Sequence, residues 1–219
     1  RKGDDGTTGL LYGGRVRKDD PRPAAYGDVD EAQSAVGIAR AHASASVPLE
    51  AHAVDATDEL IGLLIGIERD LWVAMAELAT AEGNRHKLTA GTSLVTQSMV
   101  TDLETTIDDV MGRFEAPNEC VVPGETVVSA HLDLARTIVR RAERSSLAAA
   151  DDGSFVIAYL NRLSDLLWAL ARWQDVTLTG KSPVWRIPAE HSKTGAPHTV
   201  PLSPAAVRAF SAYRPRSPG

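Results

Sequence analysis

A chain of 219 residues, 43% of them hydrophobic, is long enough to bury a core of its own, and its formal charge of -6 argues against the basic stripe that wraps nucleic acid. The single cysteine, Cys120, excludes an intrachain disulfide and fits a reducing, cytoplasmic compartment. Apolar runs such as LIGLLIGI are too short to span a bilayer, and no stretch reads as a signal peptide; the first residue is not Met, which leaves room for native residues ahead of Arg1.

Residues 1–23 are rich in glycine, charge and proline and predict an extended loop. A first helix is expected from about Ala24, with Pro23 in its opening turn and Pro48 closing the segment. A second covers about 49–81, where Leu60, Leu64, Ile67, Leu71, Met75 and Leu78 recur every three or four residues and mark a buried face. Gly83-Asn84 stops it. A third spans about 92–115, with Val95, Met99, Leu103, Ile107, Val110 and Phe114 in register, until APNECVVPGE breaks it. A fourth runs from about Thr126 to Ala150, and a fifth covers about 154–174, with Tyr159, Leu163, Leu166, Leu167 and Leu170 facing inward. Five helices joined by short loops predict an all-α bundle occupying 1–174. After Gly180 seven of the twelve prolines crowd into the remaining residues, so 175–219 reads as an irregular tail.

The densest charge in the bundle is ARTIVRRAERSS. Arg136, Arg140 and Arg144 are four apart and form one row along the fourth helix; Glu143 falls on the same side, and Arg141 is turned about 100° away. A row of guanidinium forks can grip several phosphate oxygens at once. The plainer alternative is a solvated face laced with Glu–Arg pairs. The apolar company on both sides of the row favours burial, and buried arginines need anionic partners. In the fifth helix NRLSD sets Asn161 and Asp165 one turn apart, either as a structural hydrogen-bond node or as a reader of a ribose or base.

The opening RKGDDGTTG is neither G-x-x-x-x-G-K-[ST] nor G-x-G-x-x-G. Its glycines nonetheless allow backbone N–H groups close to an anion. Thr7 and Thr8 offer hydroxyls, Arg1, Lys2 and Lys18 bring positive charge, and Asp4 or Asp5 can hold Mg²⁺ beside a nucleotide triphosphate. The competing reading is a flexible N-terminal tail. A carboxylate-bridged di-iron bundle would need Glu-x-x-His pairs, and none occurs. A helical scaffold without chemistry stays open; it predicts that ATP gives the opening loop no protection from proteolysis.

Three segments in fixed order, RKGDDGTTGL with RVRKDDPRPAAYGDVDEAQSAVG, then LARTIVRRAER, then YLNRLSDLLWALAR, closely resemble the PduO-type ATP:cob(I)alamin adenosyltransferases over residues 1 to about 174. The resemblance implies a homotrimer of five-helix bundles that binds ATP and cobalamin at its subunit interfaces. It implies transfer of the 5′-deoxyadenosyl group of ATP to the cobalt of a reduced corrinoid, with release of triphosphate, alongside a cob(II)alamin reductase and an acceptor enzyme that uses adenosylcobalamin. By position, it puts the ATP loop on Arg1, Lys2, Gly3, Asp4, Gly6, Thr8 and Gly9, with Lys18 following. Arg136, Arg140, Arg141, Glu143 and Arg144 match the helix-four signature, with Arg136 and Arg140 the candidates for stabilising the transferred charge, and Asn161 matches a nucleotide contact. Asp30 matches an acid that pairs with an arginine across the subunit boundary, implying Arg136 as its partner, and Asp165 matches an aspartate on the corrinoid side.

Two departures stand out. The threonine usual just before Arg1 is absent, and Cys120 stands where the family often has a phenylalanine that shields the lower face of cobalt. Its sulfur could coordinate cobalt; the reading taken here is a buried, inert thiol. The tail, WRIPAEHSKTGAPHTVPLSPAAVRAF, resembles the β-hairpin of tyrosine recombinases with Lys193 in the turn, but lacks the rest of that active site. It is read as a fragment without recombinase activity; a DNA contact through it would show as salt-sensitive affinity lost on cutting at Gly180.

Overall fold

The computed structural model describes residues 3–45, 51–118, 120–179, 184–187 and 198–201. Five α-helices follow a short antiparallel pair: β1 (Thr7–Gly9), β2 (Arg15–Arg17), α1 (Pro21–Ala45), α2 (Ala51–Leu78), α3 (Gln97–Met111), α4 (Val127–Ser146) and α5 (Val156–Thr179), with a 3-10 turn at Glu82–Lys87. In the tail β3 (Val184–Ile187) pairs antiparallel with β4 (His198–Pro201), so a stretch read as irregular contains two strands. Lys193 lies outside the described residues.

The helices pack in the lateral order α2, α1, α4, α5, α3, with α2 also touching α5. Alanine makes α1 a central element: Ala25, Val29, Ala32, Ala35, Val36, Ala39 and Ala43 are all buried, and small side chains let it approach a helix on either side. On α2, Leu60, Leu64, Ile67, Leu71 and Leu78 are buried as their spacing predicts, with Met75 packed against them. On α5, Tyr159, Leu163, Leu166, Leu167 and Leu170 fill the interior. The Tyr159 hydroxyl donates to Asp70 Oδ2 at 3.0 Å, and burial beside that carboxylate pushes the phenol well above its ordinary pKa.

Caps set the helix starts. Thr96 accepts from Met99 N at the head of α3, and Thr126 and Ser129 form a reciprocal capping box on α4. The expected starts at 92 and 126 therefore shift to Gln97 and Val127. The helix expected to reach 81 stops at Leu78, where Arg22 Nη1 takes the carbonyls of Leu78 (3.2 Å) and Thr80 (2.8 Å) from α2's end.

Candidate functional site

The opening stretch is built, not loose. Gly3 and Gly6 adopt φ of +97° and +79°, and Gly6 N donates to Gly3 O at 3.3 Å, closing a turn. Asp5 Oδ1 accepts from Thr7 N (3.0 Å) and Thr7 Oγ1 (2.8 Å), which holds the Asp5 carboxyl below its ordinary pKa. Thr7, Thr8 and Gly9 then pair with Arg17, Val16 and Arg15, and Lys18 N donates to Gly6 O at 2.9 Å. The Lys18 ammonium lies against Gly3, 3.8 Å from where a Cβ would sit. Thus Gly3, Asp4, Gly6, Thr8, Gly9 and Lys18 share one small hairpin. Arg1 and Lys2 lie outside the described residues.

The hairpin is anchored to one end of the bundle. Leu11 N donates to Ala79 O at 2.8 Å, just past α2. Below it sits a knot of charges that sequence reading did not single out. Glu77, 2% exposed, accepts from Arg85 Nη2 (2.8 Å), Val95 N (2.7 Å) and Ser154 Oγ (2.7 Å). Asp151 takes Arg22 and, at 3.2 Å, Arg85 Nη1. The one signal in the sequence is an acid one residue before Leu78, on the apolar face of α2. The knot joins the C-terminal end of α2, the head of α1 and the α4–α5 turn, so the hairpin shares its end of the bundle with the last turns of α4 and the first turns of α5.

Those turns carry the arginine row. Val128, Leu132, Ala135, Ile138, Val139 and Ala142 bury the inner side of α4, while Arg140, Arg141 and Arg144 are exposed and Arg136 is half-buried. The expectation of a buried row is corrected: the apolar neighbours cover the opposite side of the helix and turn the guanidinium groups out of the chain. Arg141 pairs with Asp28 (3.4 Å) and Glu31 on α1, which holds its guanidinium above the ordinary pKa. Arg144 Nη1 donates to Arg140 O at 2.8 Å. The Arg140 guanidinium has no hydrogen bond or ion pair among the described residues. Arg136 Nε meets Asp133 Oδ1 at 3.4 Å, not Asp30; the exposed Asp30 carboxylate makes no ion pair with it inside the chain.

Across the α4–α5 seam the candidates do converge. Asn161 Nδ2 donates to Glu143 Oε1 at 3.0 Å, and Asn161 Oδ1 accepts from Arg162 Nη2 at 2.6 Å. Arg162 in turn holds Asp165 at 2.9 Å. Glu143, Asn161, Arg162 and Asp165 are therefore one polar chain, in which Arg162 joins the two ends of NRLSD.

Cys120 stands apart, in the loop between α3 and α4. It is exposed, which corrects the reading of a buried thiol: Pro117, Pro123 and Gly124 carry that loop over the surface, and Val122 beside it is exposed too. A groove of about 500 Å³ between α1 and α2, lined by Gln33, Arg40, Glu68, Arg69 and Trp72 among others, contains none of the candidate residues. Among the described residues no group of three or more His, Cys, Asp or Glu side chains could hold a metal, and no helix is long and apolar enough to cross a membrane.

Comparison with known proteins places the chain in a family. Residues 1–174 match the family model for cobalamin adenosyltransferase. A corrinoid adenosyltransferase of Mycobacterium leprae is 38% identical over 192 residues, covering 85% of this chain and 93% of its own. One from Bacillus subtilis is 36% identical over 176 residues, covering 78% of this chain and 83% of its own. Among solved structures, a variant PduO-type ATP:corrinoid adenosyltransferase from Lactobacillus reuteri, complexed with cobalamin and ATP, superposes with a TM-score of 0.67 at 30% identity, over 80% of this chain and 89% of that one. A second variant from the same organism, complexed with ATP, gives 0.66 at 30% identity, over 80% and 93%. With the hairpin, the arginine row and the α4–α5 seam all inside the matched residues, the chain belongs to the cobalamin adenosyltransferase family.

Proposed function

We propose that this chain transfers the 5′-deoxyadenosyl group of ATP to the cobalt of a reduced corrinoid and releases triphosphate. The observation that carries the reading is the exposed arginine row, with the Arg140 guanidinium unengaged among the described residues, at the bundle end that also anchors the glycine-rich hairpin. Both lie inside the segment matched to a family whose relatives are named corrinoid adenosyltransferases.

The substrate itself supplies the hard chemistry. The Co(I) electron pair forms the cobalt–carbon bond at C5′, and the C5′–O bond breaks with its pair leaving on the triphosphate. No proton has to move at the reacting carbon, so the protein's task is positioning and charge. The Gly3–Gly6 turn, Thr8, Gly9 and Lys18, with Arg1 and Lys2, cradle the polyphosphate; Arg140 and Arg144 take the charge that gathers on it. Positioning of this kind is worth at most about 7–11 kcal/mol. Asn161, its amide held between Glu143 and Arg162, fixes the nucleoside. Mg²⁺ would ride on the phosphates, with Asp4 or Asp5 as the carboxylate beside it. Asp165 and Cys120 are our candidates for the corrinoid side of the site.

The assembly we propose is a homotrimer in which one subunit's hairpin meets its neighbour's arginine row and Asp30 pairs with Arg136 across the boundary. It works in the cytoplasm with a cob(II)alamin reductase and passes its product to an enzyme that uses adenosylcobalamin. Mixing the protein with ATP, Mg²⁺ and chemically reduced cobalamin tests the reading. The expected result is light-sensitive adenosylcobalamin with triphosphate released one for one. Absence of product from protein that is folded and saturated with ATP would sink it, and a hairpin equally cut by protease with and without ATP would favour the scaffold.

A further inference from the structure

Beneath the arginine row lies a second set of buried charges that the proposed chemistry does not use. Asp133 on α4 is 3% exposed, and Arg172 on α5 is 4% exposed. Arg172 Nη2 contacts Asp133 Oδ2 at 2.7 Å and Asp175 Oδ2 at 3.1 Å. Taking a lone carboxylate out of water costs several kcal/mol, so a buried aspartate keeps its charge only where cations meet it. Asp133 is met on both oxygens, with Arg172 on Oδ2 and Arg136 Nε on Oδ1 at 3.4 Å.

The two contacts differ in kind. Arg172 is enclosed by the bundle and cannot swing away, so it fixes the Asp133 carboxylate from the core side. Arg136 is 28% exposed at the side chain and spends only its Nε–H on Asp133. Its two terminal amino groups, the fork that matches a carboxylate or phosphate, make no bond among the described residues. An ordinary surface pair three residues apart joins two mobile side chains and is worth little. Here one member is immobile, so the pair restricts where the other can point.

We infer that Asp133 is a positioning residue, clamped from the core by Arg172, that aims the Arg136 guanidinium toward the transfer site and the neighbouring subunit. The inference rests on the proposed reading for the role of Arg136. It adds that the orientation of Arg136, the first arginine of the row, is set from inside the bundle.

A double-mutant cycle separates this role from a merely structural one. Asp133→Asn lowers kcat about 10-fold or more while KM for ATP moves little, as expected for loss of an outer-shell orienting partner. Arg136→Ala lowers kcat at least as far, and the double variant loses no more than Arg136→Ala alone. If Asp133→Asn costs the same factor in both backgrounds, Asp133 only closes a buried charge cluster and the inference is overturned. Should Asp133→Asn prove too unstable to assay, Asp133→Asn with Arg172→Gln and Asp175→Asn removes the three buried charges together and runs the same cycle. A readout independent of activity is the Arg136 Nε–H resonance of ligand-free protein. It should exchange slowly in the wild type and fast in Asp133→Asn; fast exchange in both contradicts the inference even if adenosyl transfer is confirmed. Slow exchange in a protein that makes no adenosylcobalamin would leave the clamp standing and sink the proposed function instead.

Discussion

The two charged regions at one end of this bundle have opposite construction. In the knot formed by Glu77, Arg85, Asp151 and Arg22, every ionic group meets partners inside the chain, and most of the contacts join segments far apart in sequence. Along α4, Arg140, Arg141 and Arg144 stand exposed, and the Arg140 guanidinium has no partner among the described residues. A saturated knot fixes geometry, because removing one partner leaves a buried charge. An open row does little for the fold and leaves its donors for a ligand. On the proposed reading, stability belongs to one region and binding to the other, and substitutions can force the two apart.

The largest effect belongs to the knot. Glu77→Ala takes the acceptor from Val95 N and Ser154 Oγ and leaves Arg85 with Asp151 alone, and a loss of about 3–5 kcal/mol in unfolding free energy is expected by denaturant titration. A loss under about 1 kcal/mol would mean that the knot is ornamental.

Arg140→Ala should do the reverse. On the proposed reading it removes a preorganised donor to the leaving triphosphate, so turnover should fall about 10²–10³-fold. Unfolding free energy should stay within about 0.5 kcal/mol of wild type, since the side chain is exposed. Full turnover in Arg140→Ala would remove the row from the mechanism.

Gly3→Ala probes the hairpin, where both roles meet. The new Cβ would stand 3.4 Å from Thr7 O in a residue at φ +97°, a strain of about 1–2 kcal/mol confined to the turn. KM for ATP should rise more than Tm falls. A large fall in Tm with KM unchanged would place the hairpin with the knot.

The smallest effect is one of pH. Burial, with Asp175 close by, raises the carboxyl pKa of Glu125. A carboxyl raised in the folded state costs nothing while both states are protonated, and it destabilises the fold as pH climbs from the unfolded value through the folded one. Glu125→Gln should therefore raise Tm at about pH 7 and leave it unchanged near pH 3.5. A variant less stable at neutral pH would show that Glu125 has a cation the geometry does not reveal.

The bundle was legible because its signals are local. Leu60, Leu64, Ile67, Leu71 and Leu78 announce α2 by spacing alone, and all are buried. Glu143 and Asn161 were picked from separate motifs and meet at 3.0 Å. What escaped was local structure without hydrophobic period and contacts without local cause. β1 and β2 are three residues each, made of Thr, Gly, Arg and Val, too short and too polar to show alternation. Glu77 finds Ser154 across 77 positions, and Asp133 finds Arg172 across 39, distances that no window along the chain can see. The exposure of the arginine row was misread for a related reason: apolar neighbours in sequence sit on the other side of a helix.

The central claim is that a hairpin from one subunit and an arginine row from the next close on one polyphosphate. Lys18→Ala and Arg140→Ala subunits, each nearly inactive alone, test it when unfolded together and refolded as a mixture. If the site is shared between neighbours, about a quarter of the interfaces in an equal mixture combine an intact hairpin with an intact row, and activity should return to about that fraction of wild type. If the mixture stays as inactive as its parents while assembling normally, hairpin and row do not meet across a boundary, and the site has been drawn in the wrong place.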